Sequence, residues 1–186
     1  MNPSAELELS GCLEPGESLV WTGVPRQGLL LRAFDAFMIP FSLLWGAFAV
    51  FWEASVLDKG APLFFVLGGI PFVVVAVYIT VGRFFVDARV RANAFYGLTD
   101  RRAIIVSGVF SRTTTSLPLG TLTDISREER KDGTGTIQLG KPQPFAAWYA
   151  GIQWPGMAKY QTPAFELITD VKRVYAQLIE KQRNAA

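Results

Sequence analysis

Six arginines lie close together in the middle of the chain, and their chemistry is the first that the sequence indicates: Arg83, Arg89, Arg91, Arg101, Arg102 and Arg112. Two acidic residues, Asp87 and Asp100, fall in the same stretch, which leaves a local charge of +4. Guanidinium groups attract anionic lipid headgroups, by about 1 kcal/mol for each basic group near the surface. The same charge could instead serve only to orient neighbouring membrane segments. These arginines are therefore candidates for headgroup binding or for determining topology.

The residue types that most enzymes use are absent or poorly spaced. The chain has no histidine, which removes the usual general base, the Ser–His and Cys–His nucleophile pairs, and His-containing metal sites. Its single cysteine, Cys12, cannot form an intrachain disulfide. No carboxylates have the spacing of a metal site. We therefore expect no enzymatic activity, no cofactor and no metal, and a formal charge of only +2 argues against nucleic acid.

Two uncharged stretches, 36–52 and 61–82, are predicted to be transmembrane helices. At about 1.5 Å per residue they would measure roughly 26 and 33 Å, against a hydrocarbon core of about 30 Å. The short polar segment 53–60 would then be the loop of an antiparallel hairpin over 36–82. The alternative is a buried helix pair in a soluble protein, but the rest of the chain is too small to enclose one.

The charges around this hairpin predict its orientation. The loop carries one basic residue, Lys59, whereas arginines flank both outer ends, with Arg26 and Arg32 on the N-terminal side. Positively charged flanks remain in the cytoplasm. We expect a multi-pass protein of the cytoplasmic membrane with both termini in the cytoplasm.

The rest of the chain is predicted to be mostly β-structure. Residues 1–15 are expected to be a disordered tail, and 16–35 an extended juxtamembrane segment. A cytoplasmic domain is expected over 83–186, ending in an amphipathic helix at about 168–183 that covers the sheet. Its short β-prone runs, separated by turn residues, are 89–98, 103–107, 112–118, 122–130 and 136–139.

Residues 140–163 combine four prolines with five large aromatic residues, Phe145, Trp148, Tyr149, Trp154 and Tyr160. The prolines exclude a regular helix. One interpretation is an aromatic loop or hairpin that completes the core of the β-structure. The other is a surface loop that inserts Trp148, Tyr149 and Trp154 into the interfacial layer of the membrane, where amphipathic rings are favoured.

Short motifs in this region carry a family resemblance. Residues 96–102 read YGLTDRR and are followed by AIIVSG, which together resemble the Y-x-L-T-D-R-R … I … G signature of bacterial PH-like domains in membrane proteins. The segments SLPL, DI and GTGTI continue the pattern at 116–119, 124–125 and 133–137. The segment GESLVWTGVP, at 16–25, is similar to the opening of family members with two spans before the domain. The resemblance covers roughly residues 13–180.

The TDRR turn within this signature also has a structural explanation. Thr99 and Asp100 can hydrogen-bond the backbone of the turn. Arg101 and Arg102 can pair with acidic groups or face the bilayer.

The resemblance implies an α+β membrane protein in which a two-helix transmembrane hairpin precedes a PH-like antiparallel β-barrel or sandwich, capped by a C-terminal helix. It implies no established reaction or ligand. We expect a non-enzymatic module that mediates protein–protein interaction or assembly at the cytoplasmic face. Its partners would be the lipid bilayer and either an unidentified protein or a second copy of the chain. The alternative is a module that binds anionic lipid headgroups through the six arginines.

Overall fold

The computed structural model describes residues 2–109, 112–141 and 162–185. These residues form two units, a β-domain and a helical hairpin. The hairpin comprises residues 29–87, and the β-domain contains the described residues on either side of it. The chain therefore begins in the β-domain, leaves it after residue 28 and returns at residue 88.

The hairpin consists of two long apolar helices. Helix α2 spans Asp35–Asp58, and α3 spans Leu63–Val77 and continues through a π-helical turn, Tyr78–Gly82, into α4, Arg83–Ala92. By length and composition, α2 and the continuous helix from Leu63 to Ala92 could each cross a membrane. The two predicted apolar helices are thus present. Trp45 and Phe72 stack between them, with ring centroids 6.3 Å apart.

The helices extend further than the apolar stretches predict. Helix α2 ends at Asp58, so Glu53 lies inside it and the predicted loop 53–60 is mostly helical. The second helix continues to Ala92, where a strand was predicted from residue 89. The reason is that an apolar run marks only the part of a helix that suits lipid. Glutamate, alanine, leucine and arginine have high helix propensity and continue the helix beyond it.

The N-terminal segment is ordered, which corrects the predicted disordered tail at 1–15. Helix α1 spans Pro3–Ser10, and the side chain of Asn2 caps it by accepting hydrogen bonds from the backbone N–H groups of Ser4 and Ala5. Ala5 and Leu9 are fully buried. They pack in a small apolar cluster with Ile104 and Val106. The cap and these tertiary contacts stabilise a helix whose own sequence has little amphipathic pattern.

Within the described residues, seven strands form two antiparallel sheets in the β-domain. The first has the order β1-β2-β3-β4 and contains Leu19–Gly23, Phe95–Thr99, Arg102–Ser107 and Thr113–Pro118. The second has the order β5-β6-β7 and contains Ile125–Glu129, Gly135–Leu139 and Ala164–Ile168. Among the residues described, the strands form two separate sheets and close no barrel. Strand β1 belongs to the first sheet, pairing Gly23 with Tyr96, although the prediction made 16–35 a separate juxtamembrane segment.

Helix α5, Val171–Ala185, covers the sheets as predicted, about three residues later than the predicted start. Its residues Val171, Val174 and Leu178 are buried in the main core. There the Phe165 ring lies 5.5 Å from that of Trp21 and 5.3 Å from that of Tyr96. Strand β7, which carries Phe165, was not predicted.

The aromatic stretch lies almost entirely outside the described residues. Trp148, Tyr149 and Trp154 fall in the segment 142–161, which the structure does not describe. The two interpretations of this stretch therefore remain predictions.

Candidate functional site

The turn between β2 and β3 contains the TDRR signature, and its polar side chains bind to the N-terminal segment. Thr99 Oγ1 accepts hydrogen bonds from the backbone N–H groups of Arg101 and Arg102, at 3.1 and 2.9 Å. The same hydroxyl donates to Glu17 Oε1 at 2.7 Å. Asp100 Oδ1 accepts from the Ser18 N–H at 3.0 Å. Thr99 therefore orders its own turn, while Asp100 fixes that turn to the segment before β1.

Arg102 completes this connection with a two-point ion pair to Glu17. Its Nε donates to Glu17 Oε1 at 2.8 Å and its Nη2 to Oε2 at 2.7 Å. The remaining donors of the guanidinium reach three further oxygens, on Cys12, Glu14 and Ser116, at 3.1 to 3.2 Å. Parallel bonds of this kind are the strongest that arginine makes with a carboxylate. We call the ion pair between residues 17 and 102 the signature clasp.

The electrostatics of the signature clasp keep both partners charged. The hydrogen bond from Arg102 is the main cause that lowers the pKa of Glu17 to about 2, with contributions from the Glu14 backbone and Thr99, while burial opposes them. The bond to Glu17 in turn raises the pKa of Arg102. The Glu17 side chain has no exposed surface, and 17% of the Arg102 side chain is exposed. This arrangement stabilises the fold and leaves few donors for a ligand.

Arg91 lies near the end of α4, the helix by which the chain returns to the β-domain. Its side chain binds the backbone of residues 26–28, where the chain leaves that domain. Its guanidinium donates to the backbone carbonyls of Arg26 and Gly28, the latter at 2.7 Å. In the opposite direction, the Gln27 amide donates to the carbonyl of Arg91 at 3.2 Å. Only 3% of Arg91 is exposed. Its role is thus to hold two backbone segments together.

A second group of charges lies within the hairpin. Arg83 pairs with Asp35 at 2.5 Å, and Arg32 pairs with Asp87 at 3.0 Å. The backbone N–H of Arg32 also donates to Asp35 Oδ2 at 2.5 Å. Arg83, Asp35 and Asp87 are each at most 5% exposed. We call these four residues the hairpin quartet; it carries no net charge.

A family model for the bacterial PH domain matches residues 38–178. The chain belongs to the bacterial PH domain family. No curated protein and no solved structure matches it. The resemblance inferred from the TDRR signature is therefore confirmed, although the match begins after Glu17, which is half of the signature clasp.

Within this bacterial PH domain protein the six candidate arginines have different environments. Arg83 and Arg91 are buried and Arg102 is largely enclosed, each bound to protein oxygens. The other three are exposed: Arg89, Arg101 and Arg112. Arg112 pairs with Glu8 at the surface, and Arg101 lies 3.9 Å from Asp100 with 59% of its side chain exposed. The exposed arginines are the ones that an external anion can reach.

Two features of the bacterial PH domain protein were missed by sequence reasoning. Glu17 was recognised only as part of the opening motif, because no neighbouring residue in the sequence indicates a partner 85 residues away. Asp35 and Asp87 were not recognised as partners of Arg83 and Arg32, because each pair joins residues that are far apart along the chain. Among the residues that the structure describes, no group of three potential ligands could hold a metal ion.

Proposed function

We propose that this protein is a membrane-anchored, non-enzymatic PH-like module that mediates protein–protein interaction or assembly at the cytoplasmic face. One observation carries the proposal: the hairpin is inserted between β1 and β2, which are antiparallel neighbours in one sheet. The chain therefore leaves and re-enters the same sheet. A hairpin connected in this way has both ends on one side of a membrane and must cross it an even number of times.

The surface of the hairpin supports a lipid environment. Only 22% of the apolar window of α2 and 11% of that of the second long helix are buried, whereas a core helix of a soluble protein would be mostly buried. Large apolar side chains remain exposed along both helices: Phe37, Leu44, Phe48, Phe51, Phe64, Leu67 and Phe72. Exposed apolar surface of this extent is unfavourable in water and favourable in hydrocarbon.

The environments of the arginines favour a protein partner over a lipid headgroup. Arg102 directs its donors at five protein oxygens, and Arg83 is paired with Asp35 inside the hairpin. A headgroup site would therefore depend on Arg89, Arg101 and Arg112. All six arginines can still orient the protein, because the topology rule counts basic residues and not net charge.

The anchor is tested with the full chain in native membranes. We expect the chain to resist extraction by alkaline carbonate, and tags at both termini to be protected in intact cells and accessible in inverted vesicles. Release by carbonate, or a terminal tag accessible from outside, would refute the anchor.

A triple variant of the full chain distinguishes a protein partner from an anionic lipid headgroup. It combines Arg89→Ala, Arg101→Ala and Arg112→Ala. Crosslinking in native membranes followed by mass spectrometry should give the same protein partner, or the same self-crosslink, for this variant as for the parent. Native mass spectrometry of the purified chain should show equal retention of anionic lipid for both proteins. Loss of lipid retention in the variant, with no crosslinked protein in either, would favour the headgroup alternative.

A further inference from the structure

One ionisable side chain lies inside the apolar part of the hairpin. Glu53 is the only charged residue between Asp35 and Asp58. It lies in α2, five residues before the helix ends, which places it about 7 Å along the axis from the helix terminus. The uncharged stretches predicted this residue to lie in the loop, whereas the structure places it within the helix. Ionisable residues at such positions in membrane helices are commonly functional.

One carboxyl oxygen of Glu53 is buried between the two helices, while the residue as a whole is half-buried. Its Oε2 is buried and has no hydrogen-bond partner among the residues that the structure describes. The facing residue on α3 is Gly69, which is itself buried. A Cβ added at Gly69 would overlap Glu53 Oε2 and would lie 2.6 Å from Cζ3 of Trp52. The missing side chain of Gly69 therefore creates the notch that the carboxyl occupies.

No opposite charge is available beside this notch on the facing helix. Helix α3 has no ionisable residue from Leu63 to Val77. The nearest charges along the chain are Asp58, at the end of α2, and Lys59, its C-cap, and both are exposed. An ionised carboxylate without a donor is strongly disfavoured in such surroundings, whereas the neutral acid is tolerated.

We propose that Glu53 is a proton-binding site within the hairpin, occupied when α2 and α3 are in contact at Gly69. Loss of the proton would create a carboxylate that needs water, so release of the proton is linked to opening of this contact. The inference rests on the proposed membrane anchor, because only a surrounding bilayer keeps the notch dry.

The test uses dicyclohexylcarbodiimide, a hydrophobic reagent that modifies protonated carboxyls in membranes, on the full chain in native membranes at pH 8. Mass spectrometry of the peptides should show at least about tenfold more modification of Glu53 than of Asp58, because Asp58 is exposed to water whereas Glu53 Oε2 is buried without a hydrogen-bond partner. Glu53→Gln should abolish this label, and the matched control Asp58→Asn should leave it unchanged.

Gly69→Ala provides a second measurement, because the added Cβ displaces the carboxyl from its notch. Modification of Glu53 at pH 8 should then fall several-fold, with the protein still in the membrane. The inference is overturned if Glu53 is unmodified at pH 8, if Gly69→Ala leaves its modification unchanged, or if a water-soluble carbodiimide modifies Glu53 and Asp58 equally. Carbonate washing of the same membranes separates the two proposals, since release of the chain refutes the anchor, and retention without labelling refutes the proton site alone.

Discussion

Two adjacent arginines of the signature turn should differ sharply in their contribution to stability. Arg102→Ala removes the guanidinium that binds Glu17 and leaves the buried carboxylate with hydrogen bonds from Thr99 and the Glu14 N–H. Arg101→Ala removes a side chain that is mostly exposed and lies 3.9 Å from its nearest carboxylate. We expect Arg102→Ala to destabilise the β-domain strongly and Arg101→Ala to leave it almost unchanged.

The magnitude follows from the signature clasp in two ways. Removing one partner of a buried ion pair costs about 3–5 kcal/mol. Independently, the pKa of Glu17 falls from the ordinary value of 4.5 to about 2. At about 1.4 kcal/mol per unit this depression, of which the bond from Arg102 is the main but not the sole cause, corresponds to roughly 3 kcal/mol of stabilisation. An exposed pair such as that of Arg101 contributes less than about 0.5 kcal/mol.

Pulse proteolysis of the detergent-solubilised full chain in increasing urea measures the difference. With a urea dependence of about 1–3 kcal/mol per molar, a loss of about 3 kcal/mol lowers the midpoint by roughly 1–3 M. The midpoint of Arg101→Ala should stay within experimental error of the parent. Arg102→Lys should lie between the two alanine variants, because an ammonium keeps the charge and loses the two-point geometry. Equal midpoints for Arg101→Ala and Arg102→Ala would refute the structural role of the clasp.

Three further predictions concern the same domain. The folded-state pKa of Glu17 lies below its ordinary value, so the stability that its carboxylate contributes to the β-domain is complete above pH 4.5 and is lost as the pH falls toward about 2. Urea midpoints of the parent should therefore decline across this pH range. Glu17→Gln should largely remove that decline. Replacing residues 29–87 by a flexible linker of about six residues, which reaches roughly 12–15 Å, should give a soluble, folded β-domain, because Arg91 already holds Gly28 beside the returning helix. A chain that begins at residue 83 lacks β1 and Glu17 and should show the collapsed amide spectrum of an unfolded protein in NMR. A well-dispersed spectrum from that shorter chain would contradict the assignment of β1 to the sheet.

The parts of the fold that sequence predicts are those with a local cause. Uncharged length predicts the two hairpin helices, and β-branched residues between turns predict β3 and β4 almost to the residue. The amphipathic spacing of Val171, Val174 and Leu178 predicts α5 in the same way. In each case the residues that determine the structure are neighbours along the chain or one turn apart.

The errors at β1 and α1 have a long-range cause. Strand β1 pairs with a strand that lies beyond the whole hairpin, and α1 is stabilised by burial of Leu9 against Ile104 and Val106. No local pattern contains these contacts. The same holds for the site, since the TDRR turn and the GE opening were recognised as separate motifs. Only the structure shows that Arg102 and Glu17 are bonded to each other.

The arginine-rich stretch illustrates why a local charge is an incomplete guide to function. Its +4 suggests an anionic partner, yet the structure pairs Arg83 with Asp35 and Arg102 with Glu17, and both acidic partners lie outside the stretch that was counted. A charge count over a window treats every guanidinium as available, whereas a folded chain neutralises those that meet distant carboxylates. Topology depends on basic residues whether or not they are paired, but headgroup binding needs donors that a ligand can reach. The pairing therefore leaves the predicted orientation unchanged and weakens the lipid-binding alternative.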